Sequence, residues 1–455
     1  MTLKLSRREM IEALCGGAGL VGLSSILASQ TLEAAVATGR YAGPALPAPA
    51  KHVIMLFMQG GPSQLDMFDN KPALKKYEGQ RPSAVDLRTE RSTGGLLSSP
   101  FEFKKHGQSG MEISNLLPQL STVADDLCVV RSMYTFNPTH TPGVNLFNCG
   151  TILATRPSTG AWVAYGLGTE NENLPSFVVL GGGGVGGGTS SHPGFLPSEF
   201  QGISFNSSAE SPENVIPNLR NQWLDERTQR SALDAMQTLN QGYSKGFGPD
   251  TFLDGRIKSM ETAFRMQSEA YDIIDLRKES QATLDEYGTT PFAKACLMSR
   301  RLVEAGVRYV HINYGGWDDH IDLNNKLIKR CPDMDQAAAA LIRDLKRRGL
   351  LDETLVVWGG EFGRTPVSES GTGRDHNPFG FTVLMAGGGI RGGVTYGSTD
   401  EFGFKAVENR VSIHDLHATM LNRLGMDHTK LTYHYAGRDF RLTDVSGEVV
   451  KGILV

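Results

Sequence analysis

Short apolar runs of this sequence are repeatedly followed by side chains that bind metal ions in proteins. The segment YGGWDDH ends in Asp318, Asp319 and His320, and the segment WGGEFGRTP carries Glu361. Carboxylates and neutral imidazoles without thiolates are the ligands that hard and borderline divalent cations prefer. Carboxylates crowded together without a cation would repel one another and raise each other's pKa. These residue types therefore predict a bound divalent metal.

Three further segments contribute candidates of the same kind. GRDHNPFG provides His376, GGPSQLDMFD provides Asp66, and NPTHTPG provides His140. Two metal ions about 4 Å apart can hold a phosphoryl group during an in-line displacement. The set therefore indicates one or two ions, with zinc or manganese favoured. Arg364, three residues after Glu361, is the candidate that would bind the anionic oxygens of a substrate.

Each motif also has a purely structural interpretation. Asp319 could be the N-cap of the helix that follows it, and Asp66 could cap a local turn. An isolated Arg-Asp-His triplet is more commonly part of a surface salt bridge. Repetition of such residues at successive strand ends is what favours the metal site. His414 and His417, three residues apart on one helical face, are interpreted as packing or surface histidines.

The elements that must position these residues can be predicted from the apolar pattern. Six short apolar runs closed by glycine or turn residues predict buried strands: KHVIMLFMQGG, DDLCVVRSMYT, SFVVLGG, GVRYVHINYGG, ETLVVWGG and FGFTVLMAGGG. Amphipathic segments between them predict helices, and Ser412 and Gly425 are the expected N-cap and end of the last one. Alternating strands and helices predict an α/β fold, a parallel-rich sheet with helices on both faces. Because ligands bind at the carboxyl ends of such strands, the candidates should converge at one edge.

Composition excludes several classes of function. The chain has 455 residues, of which 40% are apolar and 21% charged, as expected for a globular protein. The net charge is −4 and no basic tract is present, so nucleic acid is not an expected partner. The five cysteines contain no C-x-x-C motif, which excludes a zinc ribbon, and their spacing does not select a disulfide pairing. The run Gly181–Gly188 lacks the ending of a phosphate-binding loop.

The N-terminal segment predicts export. Residues 1–37 have Arg7-Arg8, an apolar stretch and the small residues Ala35-Val36-Ala37, a pattern typical of a twin-arginine signal. The stretch is shorter than the roughly 20 residues of a spanning helix, so no membrane span is expected after cleavage, although an uncleaved anchor is the alternative. Residues 38–50 are expected to be a Pro/Ala linker. Residues 51–455 are expected to form one domain with a helical insertion around 205–290, located in the periplasm or outside the cell.

The order of the motifs resembles the alkaline phosphatase/sulfatase superfamily. LLDETLVVWGGEFGRTP, YGGWDDHIDLNNK and GRDHNPFGFTVLMAGGGIRGG resemble three metal-binding segments of that superfamily. From about residue 50 to 455, GGPSQLDMFDNKP, GWDDH, GEFGRTP, GRDHNPFGF and the C-terminal HATMLNRLGMDHTKLTYHYAGRDF resemble the exported bacterial proteins of domain-of-unknown-function family 1501. The resemblance implies an alkaline phosphatase-like sheet and a metal-dependent hydrolase, with phosphate esters favoured over sulfate esters. Its substrate would be an anionic small molecule or a polysaccharide ester.

Three departures from the superfamily pattern bear on the chemistry. Gln59 stands where the first strand usually ends in a metal-binding Asp, and Glu361-Phe362 replaces Asp-His. His140 stands at the position of the sulfatase cysteine, so formylglycine chemistry is excluded there. His140 could be a metal ligand or a nucleophile, Thr139 or Thr141 could be the nucleophile, or an activated water could attack. The same departures favour the alternative of a catalytically degraded member that acts as an exported binding or envelope-assembly protein.

Overall fold

The computed structural model describes residues 46–83, 89–181, 189–216, 219–248 and 250–455. The predicted signal at 1–37, most of the predicted linker at 38–50 and most of the glycine run lie outside the described residues. The division of the chain into signal, linker and one domain stays a prediction.

Strands and helices alternate along much of the chain. The strands are β1 His52–Met58, β2 Phe103–His106, β3 Met111–Ser114, β4 Leu127–Tyr134, β5 Phe177–Leu180, β6 Ile203–Phe205, β7 Tyr309–Tyr314, β8 Thr354–Gly359, β9 Gly363–Glu369, β10 Gly373–Asn377, β11 Phe381–Ala386, β12 Val394–Tyr396, β13 Ser398–Thr399, β14 Ala406–Glu408, β15 Val411–Ser412, β16 Tyr433–Tyr435 and β17 Arg438–Phe440. The helices are α1 Gln64–Met67, α2 Pro72–Lys76, α3 His140–Cys149, α4 Thr159–Leu167, α5 Pro212–Val215, α6 Glu226–Phe247, α7 Thr251–Ile274, α8 Gln281–Tyr287, α9 Pro291–Glu304, α10 Leu323–Arg347 and α11 Ile413–Arg423.

A nine-stranded sheet forms the centre of the molecule. Its order is β12-β4-β11-β8-β1-β7-β5-β6, and β15 also pairs with β4. Strand β1 is parallel to both β7 and β8, whereas β11 is antiparallel to both β4 and β8. The six predicted strands correspond to β1, β4, β5, β7, β8 and β11, so the predicted parallel-rich α/β architecture is confirmed.

Both faces of the sheet are buried. Along β1, Ile54, Leu56 and Met58 belong to one apolar cluster, and Val53, Met55 and Phe57 belong to another. This alternation follows the two-residue period of a strand. Helices α9 and α10 contribute to the first cluster, and α3, α4 and α11 contribute to the second. A strand covered on both sides is expected to be continuously apolar, as the sequence of β1 is.

The last helix is capped as the sequence predicts. The Ser412 hydroxyl accepts a hydrogen bond from the Asp415 N–H, and the Asp415 carboxylate accepts one from the Ser412 N–H, which makes a capping box. Gly425 follows the helix with a φ of 76°, a left-handed conformation that favours glycine. No helix among the described residues combines the length and the apolar character that spanning a bilayer requires.

Buried histidines predict loss of stability in acid. Burial and the nearby His414 lower the pKa of His417 to about 3, and burial lowers the pKa of His311 to about 4. Both depressed values lie below the usual 6.5, so the unfolded chain binds protons first and stability falls as the pH drops from about 6.5 towards these values. Each histidine should contribute about 1.4 kcal/mol per pH unit in that window.

The measurement is urea unfolding between pH 7 and pH 4.5. His417→Gln is the matched variant, since a glutamine amide can still donate to the Phe147 carbonyl that the His417 Nε2 reaches at 2.8 Å. We expect a shallower pH dependence of the unfolding free energy in this variant. An unchanged slope would contradict the assignment of a buried neutral imidazole.

The cysteines of the described residues are thiols. Cys128, Cys149, Cys296 and Cys331 are free and buried. Burial raises the pKa of Cys128, Cys149 and Cys331 to about 12, which leaves almost no reactive thiolate at neutral pH. In a protein carrying Cys15→Ser, a thiol-reactive dye should label no cysteine in the folded state and four after denaturation. Rapid labelling of the folded protein would contradict this burial.

Candidate metal centre

The strand ends that carry the candidate residues meet at one edge of the sheet. Met58 of β1 pairs with Tyr314 of β7, and Phe57 pairs with Gly359 of β8, so three parallel strands end side by side. Strand β11 runs in the opposite direction and begins at this edge, where Phe381 pairs with Met133 near the end of β4. The loops that follow β1, β4, β7 and β8, and the hairpin β9–β10 that precedes β11, therefore share this edge.

Three imidazoles converge there on one carboxylate oxygen. Asp318 Oδ1 lies 3.2 Å from the Nε2 atom of His140, 2.7 Å from that of His320 and 3.1 Å from that of His376. One ligand atom from each of the four residues lies within 4.8 Å of all the others. The buried Nε2 atoms of His140 and His320 have no partner in hydrogen-bond geometry within the described part of the chain.

The opposite nitrogen of each ring is held by an oxygen. His140 Nδ1 lies 2.7 Å from Glu361 Oε1, and His320 Nδ1 contacts Glu369 Oε2. His376 Nδ1 lies 2.6 Å from the Pro138 carbonyl oxygen, to which it donates. These acceptors assign the proton of each neutral ring to Nδ1, which leaves the Nε2 lone pair for the centre. Metal-binding histidines are oriented in this way.

The electrostatics of the cluster favour a positive charge at its middle. Burial would raise the pKa of Asp318, but contacts with His140, His320 and His376 and the nearby Arg364 hold it well below its usual range. Burial lowers the pKa of His140, and its contacts with Asp318 and Glu361 outweigh that effect and raise the pKa to about 9. The chemistry of this donor set, three imidazoles and one carboxylate, fits a zinc or manganese ion.

Glu361 contacts His140 on the side of the ring that faces away from Asp318. Its side chain is buried, and its two oxygens accept the Gly60 N–H at 3.0 and 3.1 Å in addition to the contact with His140. Gly60 has a φ of 116°, and a Cβ there would lie 2.6 Å from the Asp318 nitrogen, so the close approach of the two loops requires glycine. The structure therefore places Glu361 behind His140, as the residue that orients this ring, and outside the group of four residues that converge.

Arg364 does not lie where a substrate could reach it. Its side chain is 0% exposed, and it donates to the carbonyl oxygens of Gly61, Arg374, Gly60 and Trp317. Its remaining contact is with Asp318 Oδ1, at 2.7 Å. Because the guanidinium is fully buried and all three of its nitrogens donate to protein oxygens, the expected contact between Arg364 and substrate oxygens is not available. Arg364 instead fixes the position of Asp318.

Two of the predicted ligands lie outside the cluster. The carboxylate of Asp319 pairs with Arg330 at 2.8 Å, and that of Asp66 pairs with Arg374 at 3.0 Å. Both side chains are buried against these arginines, which already neutralise their charge. Asp319 is not the N-cap of α10 either, because Asp322 occupies that position.

The candidate hydroxyl nucleophiles lie at the start of α3. Thr141 is exposed, and Thr139, the N-cap residue, donates a hydrogen bond to Glu90 Oε1 at 3.1 Å. The other Glu90 oxygen lies 2.5 Å from His376 Nδ1. His140, Thr139, Thr141 and an activated water molecule all stay predicted alternatives for the nucleophile.

Sequence reasoning missed two carboxylates next to the cluster, Glu90 and Glu369, and a third, Asp375, was noted only as the neighbour of His376. Glu90 Oε2 lies 2.5 Å from His376 Nδ1 and Glu369 Oε2 contacts His320 Nδ1, while an oxygen of Asp375 lies within 4.8 Å of a ring nitrogen of each histidine. Asp375 was visible beside His376 in the RDH triplet. Glu90 and Glu369 stand in segments without apolar periodicity, so no local pattern indicated either residue.

Comparison with known proteins agrees with the motif pattern. The model of a family described as "Protein of unknown function (DUF1501)" matches residues 50–454. No curated protein matches the sequence. Among solved structures, the chain is similar to the PsFucS1 sulfatase from Pseudoalteromonas sp., at 13% identity over 93% of this chain and 72% of that chain, with a TM-score of 0.36.

Two other solved structures have comparable scores. A phosphonate monoester hydrolase from Silicibacter pomeroyi is 12% identical over 87% of this chain and 76% of that chain, with a TM-score of 0.33. The alkaline phosphatase from the Antarctic bacterium TAB5 is 12% identical over 82% of this chain and 98% of that chain, with a TM-score of 0.34. With TM-scores below 0.5, these likenesses carry no conclusion about the site, whose chemistry follows from its own residues.

Proposed function

This chain belongs to the DUF1501 family, and for this member we propose the function of a metal-dependent hydrolase that acts on phosphate esters. The observation that supports the proposal is the convergence of three imidazole Nε2 atoms on Asp318 Oδ1. Each ring is held at Nδ1 by an oxygen, so the unshared Nε2 pairs are directed at one point. Without a metal, protons occupy this point, because contacts with Asp318 and Glu361 raise the pKa of His140 to about 9; a divalent cation would take their place.

His140, Asp318, His320 and His376 would hold the metal. When bound, a divalent cation would supply Lewis acidity towards an anionic ester oxygen and stabilise developing negative charge. Glu361 and Glu369 hold the rings of His140 and His320, and Arg364 holds Asp318, so the ligands are positioned before any ion or substrate arrives.

The substrate would approach from the side of Asp318. The Asp318 side chain is 42% exposed, whereas those of His140, His320 and His376 are 16%, 10% and 3% exposed. An anionic ester, either a small molecule or part of a polysaccharide, fits a centre that carries a cation. Phosphate is favoured over sulfate because His140 cannot be converted to formylglycine. The proposal includes export of this activity to the periplasm or outside the cell, and the twin-arginine-like segment of the sequence supports that part.

The test is hydrolysis of p-nitrophenyl esters by the protein loaded with zinc or manganese. We expect release of p-nitrophenol from a phosphate ester, little release from the sulfate ester, and loss of activity after chelation with recovery on adding the metal. Activity that is unaffected by complete metal removal would contradict the proposal.

A second candidate function is metal-dependent binding of an anionic envelope component without hydrolysis. It is favoured by two observations: the Arg364 side chain is fully buried and donates to protein oxygens, and the Thr139 hydroxyl donates to Glu90. The same assay separates the two functions. A metal-loaded protein that retains its metal and hydrolyses none of the esters would support the binding function.

A further inference from the structure

A small pocket lies at the C-terminal end of α3, the helix that begins at His140. The end of the helix, at Cys149 and Gly150, lines this pocket together with two arginines, Arg156 and Arg441. Helix α3 has ten residues and is therefore about 15 Å long. The pocket and the metal centre accordingly lie at opposite ends of one helix.

Close backbone contacts fix both segments that carry these arginines. Gly150 has a φ of 68°, and a Cβ there would overlap the Leu442 carbonyl oxygen, so the chain next to Arg441 packs directly on the end of α3. Gly194 has a φ of 57°, and a Cβ there would overlap the Pro157 nitrogen, directly after the other arginine. The positive φ and the close approach require glycine at both positions. The two walls of the pocket are therefore held in place by the fold.

Arg156 contacts aromatic rings instead of a carboxylate. Its guanidinium carbon lies 4.0 Å from the centre of the Phe440 ring and 5.9 Å from that of the Phe195 ring. Burial lowers the pKa of Arg156, and the more distant Asp444 does not offset this effect. Cation–π contacts compensate only part of the cost of taking a charge out of water. A negative partner beside Arg156 would therefore be favourable.

Arg441 has donors without a protein partner on the other wall of the pocket. Its Nε atom donates to the Asp444 carbonyl oxygen, and its guanidinium makes no ion pair with a carboxylate of the described residues. The carboxylate of Asp444, which also lines the pocket, accepts a hydrogen bond from Arg438 Nη2 at 2.7 Å. Three guanidinium groups around one carboxylate leave a surplus of positive charge here.

We infer that Arg156 and Arg441 form a binding site for an oxoanion group, namely a phosphate, sulfate or carboxylate. Planar guanidinium groups match the geometry of these anions and bind them with charge-assisted hydrogen bonds. The C-terminal carbonyl groups of a helix would repel an anion, but the Gly150 oxygen accepts a hydrogen bond from His414 Nε2 at 2.9 Å. The end of α3 is thus compatible with an anion in the pocket.

The oxoanion has two possible sources, a free ion or a charged group on a polysaccharide. The site involves none of the residues that converge on Asp318, so the inference goes beyond the proposed function and does not depend on it. If the ligand is a polysaccharide, the pocket holds one of its charged groups at a distance from the metal centre.

The experiment is calorimetric titration of the full chain with inorganic sulfate, inorganic phosphate and dextran sulfate, with uncharged dextran as the blank. We expect the wild type to bind the anions and not dextran. Arg156→Gln and Arg441→Gln should each raise the dissociation constant about tenfold, because each removes a charge-assisted donor. Arg441→Gln leaves the contact between Arg156 and Phe440 intact, so it tests the site without disturbing the aromatic packing.

Arg220→Gln is the matched control. It removes the same charge from a guanidinium that also lies over an aromatic ring, 4.7 Å from the centre of Tyr271, but that does not line the pocket. This control should bind the anions as the wild type does. Tighter binding of dextran sulfate than of inorganic sulfate, lost in the pocket variants, would identify a polymer as the ligand, whereas equal binding would identify the free ion.

Three results would overturn the site. They are a wild type that binds none of the anions, equal binding by the wild type and both pocket variants, and equal weakening by the control variant. None of them bears on the metal centre, whose ligands are unchanged in these variants. Absence of metal from the wild type would contradict the proposed function and leave the anion site to be decided by the titration.

Discussion

Asp318→Asn is expected to abolish both metal binding and ester hydrolysis. The three Nε2 atoms converge on Asp318 Oδ1. The same oxygen accepts a hydrogen bond from the Arg364 guanidinium. An amide in its place removes the negative charge that offsets a cation among three neutral rings. Metal content and p-nitrophenyl phosphate hydrolysis are the two readouts.

The neighbouring residue supplies the control. Asp319 carries the same side chain one position later, but it pairs with Arg330 away from the cluster. Asp319→Asn should keep its metal and lose stability, because the Arg330 charge then has a weaker partner. Equal loss of metal in the two variants would contradict the assignment of Asp318 to the centre.

Arg364→Met is expected to destabilise the fold strongly. The guanidinium is fully buried and satisfies four backbone carbonyl oxygens as well as Asp318. Removing it leaves these acceptors without a donor, and breaking a buried charged network of this kind costs about 3–5 kcal/mol. The measurement is the unfolding free energy from urea titration.

Arg364→Lys refines this prediction. Lysine retains the charge but lacks the planar fork that reaches several acceptors, so it should recover only part of the lost stability. A substrate-binding arginine would behave differently. An increase in KM at unchanged unfolding free energy would show that Arg364 contacts the substrate, and would contradict the buried role.

The sequence was sufficient to predict the edge where the candidate residues meet. Strand β1 is apolar on both faces, and β7 and β8 end in glycine-rich segments, so their carboxyl ends could be located from pattern alone. Since parallel strands end together, the loops carrying His140, Asp318 and His320 had to be neighbours. This reasoning needs no knowledge of side-chain direction.

Side-chain direction in the loops was not predictable. Asp318 and Asp319 are adjacent in the sequence, but one faces the imidazoles and the other faces Arg330, because an irregular loop has no period that relates them. By residue type, Asp66 was as good a candidate ligand as Asp318. Only the fold shows that Arg374 pairs with its carboxylate. Glu369 reaches His320 through the β9–β10 hairpin, whose sequence resembles a loop.

The most direct test of the metal centre is elemental mass spectrometry of the protein purified without chelator, beside a His320→Ala variant. His320 is the ring whose Nε2 lies closest to Asp318 Oδ1, at 2.7 Å. We expect about one to two equivalents of zinc or manganese in the wild type and loss of the metal in the variant. A wild type that contains no metal and takes up none on dialysis against zinc or manganese would contradict the metal centre.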